Sequence, residues 1–266
     1  MSNTIDGFQA YPHCHNQQTR QVWVGGTGPL VFLLHEIPNP TPQVFDVGRR
    51  LIASGYQVHI PVFFGEPNVP FSERRAIAAL AMGCIRKEFA VFAKHRSSPI
   101  IDWIKSLCEQ VMASTGHRQV GMIGMCFTGN FALGLCAEPW MKAPILSQPS
   151  LPYPISENHQ AALHASPAIM NRARQNPDTE LLGLRFSEDW MCPKARFDSL
   201  QAQFGERFEA VEIDSTPDNP HQIKATAHAV LTMDFVDREG HPTHDAWLKV
   251  LDFLARRLEQ RDSGKD

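Results

Sequence analysis

The run VGMIGMCFTGNFAL, residues 120–133, holds a cysteine in a setting suited to nucleophilic chemistry. Val120, Met122 and Ile123 form a short apolar stretch of strand type, Gly124 interrupts it, and Phe127, Phe131 and Leu135 then recur at helical spacing. This pattern predicts a strand, a tight turn and a helix, with Cys126 at the tip. So sharp a corner crowds the backbone on both sides, so the positions two before and a few after the tip must be small, and Gly124 and Gly129 meet that need. A thiol held there projects above the end of a sheet, beside the free N–H groups and positive dipole of the helix N-terminus, which favour its reactive form. The competing reading is a buried cysteine that packs as a small apolar residue. What decides between them is whether the chain supplies a base, an acid and an oxyanion site.

Asp189 and His228 follow in that order, each after a run of strand character. An imidazole near Cys126 would take the thiol proton, and the Asp189 carboxylate would fix the ring tautomer and stabilise its cation. Glu36 and Ile37 close the apolar run LVFLL, residues 30–34, in the stretch HEIP. There the backbone N–H of Ile37, with that of Phe127, is placed to hold a developing oxyanion. Each partner also has a plainer use: Glu36 as an acceptor for backbone N–H groups, and Asp189 as a helix-capping carboxylate. His221, His241 and His244 lie in the same region as His228, so the identity of the base stays open on residue type alone.

The elements that must position these groups alternate along the chain. Gln21 to Val24 is a brief strand. Leu30 to Leu34 is a continuous apolar run suited to a central strand covered on both faces. Thr41-Pro42 opens a helix that Gly55 closes, and Tyr56 to Val62 is the next strand, which completes a parallel strand-helix-strand unit. A glycine- and proline-rich loop follows from Phe63 to Pro70, then a helical excursion over 76–92 near the mouth of the site. An amphipathic helix covers Ile101 to Met112. Beyond the Cys126 turn, strands are expected at Lys142 to Leu146, Glu180 to Phe186 and Phe208 to Ile213. Helices are expected near Ala165 to Gln175, from Pro193 to Phe204, and from Thr243 to Leu258. The pattern is that of a doubly wound, mostly parallel α/β sheet flanked by helices, and 266 residues suit a single domain with an irregular N-terminal segment over 1–20.

Twenty-five basic and 28 acidic side chains give a formal charge of -3, which leaves no electrostatic footprint for nucleic acid or an anionic membrane. No stretch reaches the length of a membrane span, and the N-terminus lacks the pattern of a secretory signal, so a cytoplasmic location is expected. Six cysteines (14, 84, 108, 126, 136 and 192) are scattered without a paired motif and read as free thiols. His13, Cys14 and His15 have no second ligand cluster at suitable spacing and read as a solvated segment, so neither a metal nor an organic cofactor is expected. The expected partner is a small molecule, and the protein itself is expected to be a monomer or small homo-oligomer.

Nucleophile, acid and base in the order Cys126, Asp189, His228 is the chain order of an α/β-hydrolase. From about Gly28 to Leu254 the sequence resembles the dienelactone hydrolase family. The resemblance rests on HEI at 35–37, GMCFTG at 124–129, DWMCP at 189–193, and the separation between His228 and the LDFL of the last helix. It favours His228 over the other histidines. It implies cleavage of a small ester or lactone through an acyl-enzyme on Cys126, with Glu36 helping to form the thiolate when substrate binds and His228 activating the water. Two positions depart from the family pattern: Thr128 stands where a glycine is usual, and Thr232 where an arginine binds a substrate carboxylate and holds the glutamate. The second departure bears on the substrate more than on the chemistry. Arg74, Arg75 and Lys87 are alternative carboxylate anchors, although solvated surface charge accounts for each. A thioesterase or general carboxylesterase of the same fold, and a non-catalytic binding relative, are the rival readings.

Overall fold

The computed structural model describes residues 4–81, 99–163 and 165–258. Nine strands form one sheet: β1 Thr4–Ile5, β2 Phe8–His15, β3 Gln18–Gly25, β4 Leu30–Leu34, β5 Gln57–Pro61, β6 Val120–Met125, β7 Met141–Ser147, β8 Leu181–Phe186 and β9 Phe208–Ile213. Their spatial order is β1-β2-β3-β5-β4-β6-β7-β8-β9. From β5 to β9 every neighbouring pair is parallel, whereas β1, β2 and β3 join by antiparallel pairing. The described helices are α1 Pro42–Ala53, α2 Glu73–Ala81, α3 Pro99–Thr115, α4 Gly129–Leu135, α5 Glu157–Ala161, α6 Pro167–Gln175, α7 Lys194–Phe204 and α8 Pro242–Leu258. The part of the expected excursion beyond residue 81, with Lys87 and Cys84, lies outside the described residues.

β4 shows why a continuous apolar run belongs at the centre. Leu30, Phe32 and Leu34 pack into one core layer with α3, α4 and α7, while Val31 and Leu33 pack into the other with α1 and α8. Side chains alternate across a strand, so covering both faces requires apolar residues at every position. The chain leaves β4 toward β5 on one side and β6 on the other, so the carboxyl ends of β4 and β6 flank a topological switch point. Crevices for ligands open at such points in parallel sheets.

The expectation of an irregular segment over residues 1–20 is corrected by the structure, which folds most of it into β1, β2 and the start of β3. The β2–β3 hairpin turns at Asn16 and Gln17, whose φ angles are 48° and 64°. These are left-handed values that suit a tight two-residue turn. The solvated reading of the His13-Cys14-His15 cluster fails at His13, which is buried edge-on against Trp103 with Nδ1 2.9 Å from Gln110 Oε1. Cys14 is exposed. Among the described residues no cluster of histidine, cysteine and acidic side chains has the geometry of a metal site. None of the described helices is long and apolar enough to cross a membrane.

Candidate active site

The Cys126 corner takes the expected form. β6 ends at Met125, a single 3-10 turn covers Cys126–Thr128, and α4 follows at once. Cys126 has φ 53°, a left-handed value that is strained for a residue with a Cβ. The crowding predicted around the tip is visible at both glycines. A Cβ on Gly124 would lie 2.4 Å from the Thr128 carbonyl oxygen, and one on Gly129 would lie 2.9 Å from Pro149 Cβ. Thr128 serves as a staple here. Its hydroxyl accepts from Met125 N at 3.0 Å and donates to Leu34 O at 2.9 Å, which ties the turn to the end of β4.

His228 lies in the connection between β9 and α8. Its Nδ1 is 2.7 Å from Asp189 Oδ2, and its ring hydrogen-bonds with the Cys126 side chain. The Ser150 hydroxyl lies 3.5 Å from Nε2. Burial disfavours the charged ring, but the charge of Cys126 and the hydrogen bonds to Asp189 and Cys126 outweigh it and hold His228 well above the usual histidine range. Asp189 is buried, and its other oxygen accepts from Met191 N at 3.0 Å, which fixes the carboxylate. Cys126, Asp189 and His228 therefore meet at the carboxyl edge of the sheet.

The other histidines lie elsewhere. His241 bonds through Nδ1 to the Thr243 hydroxyl at 2.8 Å and packs edge-on against His221, with ring centroids 5.4 Å apart. His244 pairs with Asp237 at 3.1 Å. Arg74 and Arg75 are exposed at the start of α2, and Arg75 reaches a carbonyl oxygen of its own loop, that of Pro70.

Glu36 is buried at the end of β4, where its Oε1 accepts from the Thr232 hydroxyl and its Oε2 from Gln148 Nε2 at 3.3 Å. Burial pushes its carboxyl above the usual range, against the downward pull of the Thr232 bond and the nearby His228 charge. The neighbouring His35 is wholly buried. Its Nδ1–H donates to Glu36 O at 2.8 Å and its Nε2 accepts from Phe63 N at 2.9 Å, so it ties the strand end to the next loop.

Several supporting residues escaped the sequence reading. Thr232 stood out only as a missing arginine, yet its hydroxyl holds Glu36. Asp234, six residues beyond His228, accepts from His228 N and Ala229 N, both at 2.9 Å, and so shapes the loop that carries the ring. Gln148 and Ser150 lie in a proline-rich connection without periodicity, where sequence offers no signal. Arg196 on α7 is buried and donates to the carbonyl oxygens of Pro149, Pro152, His159, Ala162 and Met191 at 2.6 to 3.2 Å. It clamps the loop carrying Gln148 and Ser150 against the Asp189 turn. Only its place in the first turn of a helix hinted at this.

A mostly parallel sheet flanked by helices, with a strained residue at a strand-to-helix corner above a histidine and a buried aspartate, defines an α/β-hydrolase. Residues 19–258 match the model of the dienelactone hydrolase family. The chain belongs to that family and is a carboxylic ester hydrolase. No curated protein matches it by sequence. Among solved structures it is similar to a dienelactone hydrolase from Anabaena variabilis, at 14% identity and a TM-score of 0.58, covering 95% of this chain and 99% of that one. A dienelactone hydrolase-like promiscuous phosphotriesterase from metagenomic libraries is similar at 12% identity and a TM-score of 0.61, over 94% of this chain and 98% of that one. An esterase of Pyrococcus furiosus follows at 11% identity and a TM-score of 0.59, over 94% and 93%. At these identities the likeness concerns the fold.

Proposed function

We propose that the protein hydrolyses a small ester or lactone through a covalent acyl-enzyme on Cys126, with His228 as base and Asp189 as its orienting acid. The observation that carries this reading is the continuous chain of contacts from the Cys126 side chain through the His228 ring to Asp189 Oδ2, the last link 2.7 Å long. His228 takes the thiol proton as the sulfur bonds to the carbonyl carbon, and the carbonyl electron pair moves to an oxygen held by the N–H groups of Ile37 and Phe127. Collapse of that intermediate breaks the bond to the leaving oxygen, which receives the proton from His228. Water then gives a proton to the same ring as it attacks the thioester, and the acid product and free thiol are released. Glu36 rests against Thr232 and Gln148 and turns toward the thiol when substrate displaces that pair, relaying the thiol proton to His228 so that the reactive thiolate forms only on demand. The mechanism calls for no metal or organic cofactor.

Cys126→Ala tests it directly. The variant should lose at least about a thousandfold in kcat on p-nitrophenyl acetate, and intact-mass measurement of acid-quenched wild type should show one acetyl group on Cys126. Unchanged turnover in the variant would remove the proposal.

A further inference from the structure

We propose that the site selects uncharged esters with an apolar acyl chain and rejects substrates that carry a second, free carboxylate; this rests on the acyl-enzyme reading above. Two independent sets of observations carry it. The first is the charge around Glu36. Its hydrogen-bond partners, Thr232 and Gln148, are both neutral, Asp234 stands nearby on the Thr232 loop, and Asp189 holds His228 from the loop after β8. Three buried or half-buried arginines close to these loops already have partners, and Arg238, on the Thr232 loop, is exposed to solvent. Arg196 donates to five carbonyl oxygens, Arg185 pairs with Glu212, and Arg50 donates to Leu231 O at 2.8 Å with its guanidinium over the Phe235 ring. A substrate carboxylate placed beside Glu36 would meet acidic groups and a hydroxyl, and the His228 ring is committed to the chemistry. Unfavourable charge of this kind rejects a ligand as effectively as a good contact selects one.

The second set is the distribution of exposed apolar side chains. Six large ones are exposed among the described residues, and five of them, Phe71, Ile155, Trp190, Met233 and Val236, stand on loops that leave the carboxyl ends of the parallel strands. Trp190 directly follows Asp189, Met233 directly follows Thr232, and Ile155 lies on the loop that Arg196 clamps. Apolar side chains gathered on one rim mark a binding surface rather than scattered surface residues.

Matched activated esters give the test: p-nitrophenyl acetate, p-nitrophenyl hexanoate and mono-p-nitrophenyl adipate, the last two differing in one terminal carboxylate. For wild type, kcat/KM on the hexanoate should exceed that on both the acetate and the adipate by at least about tenfold, the scale on which a few methylene groups or one misplaced charge discriminate. Thr232→Arg should move the adipate-to-hexanoate ratio about tenfold toward the adipate. A hexanoate preference below tenfold over either ester overturns the substrate class. If Cys126 is nonetheless acylated, the hydrolytic mechanism stands without it; if no ester acylates Cys126, both readings fall together.

Discussion

Asp189 illustrates how a residue's role depends on which neighbour reaches it. A carboxylate placed shortly before a helix serves as a cap in many proteins. Here one oxygen does accept from the backbone N–H of Met191, but the other accepts from His228 at 2.7 Å. Asp189→Asn would keep the shape while losing the charge and favouring the wrong tautomer of the ring, so kcat should fall by about 10⁴ with the fold intact. Ester turnover and a thermal melt of the same sample check this; full activity would reassign the acid. At this scale the four residues proposed to carry the chemistry were legible because each ends or follows a strand, in the order such chemistry needs. Gln148 and Ser150 were not, since polar side chains among prolines look alike whether they line a site or face water. At position 232 the sequence offers a threonine in place of the family's arginine, and in the structure its neutral hydroxyl bonds Glu36.

Among the elements, the corner between β6 and α4 depends on a residue that departs from the family pattern. Thr128 bridges Met125 N and Leu34 O, joining two neighbouring strands at the ends that carry Cys126 and Glu36. Thr128→Val keeps the volume but leaves a buried N–H and a buried carbonyl without this partner. The expected cost is about 2 kcal/mol in urea denaturation together with a loss of kcat, while Thr128→Ser should recover most of both. Equal stability of threonine and valine would show that the staple contributes nothing. The central strands and long helices were legible because continuous apolar runs and 3.6-residue stripes have few alternative explanations. β2 was not, because FQAYPHCH carries a proline and a weak alternation. Its hairpin turn is Asn16-Gln17, without the glycine that usually marks such a turn. Pro12 is tolerated because β1 pairs only with Phe8 and Gln9, so the proline sits beyond that pairing, on the open side of β2.

For the whole molecule, the buried histidines set a limit on acid stability. Burial pushes His35 and His59 down to about 4, from an ordinary value of 6.5. A ring whose folded value is depressed contributes stability that is complete above the unfolded value and is lost as pH falls from 6.5 toward 4. The loss by pH 5 should be about 2 kcal/mol for each ring. Urea midpoints at pH 7 and pH 5 would measure it, and His59→Phe, which preserves stacking on Phe32, should flatten the decline by about one ring's share. Identical slopes for the two proteins would exclude this account. His228 runs the opposite way, because its raised value favours the folded state most at low pH, and so it partly offsets the buried pair.

The left-handed backbone at Cys126 carries an evolutionary corollary. Glycine is the residue best suited to that conformation, so a lineage released from the need to turn over its substrate would drift toward a more robust but inert protein by losing this one side chain. On the mechanism proposed here, a thiol stays at so uncomfortable a position because turnover requires it.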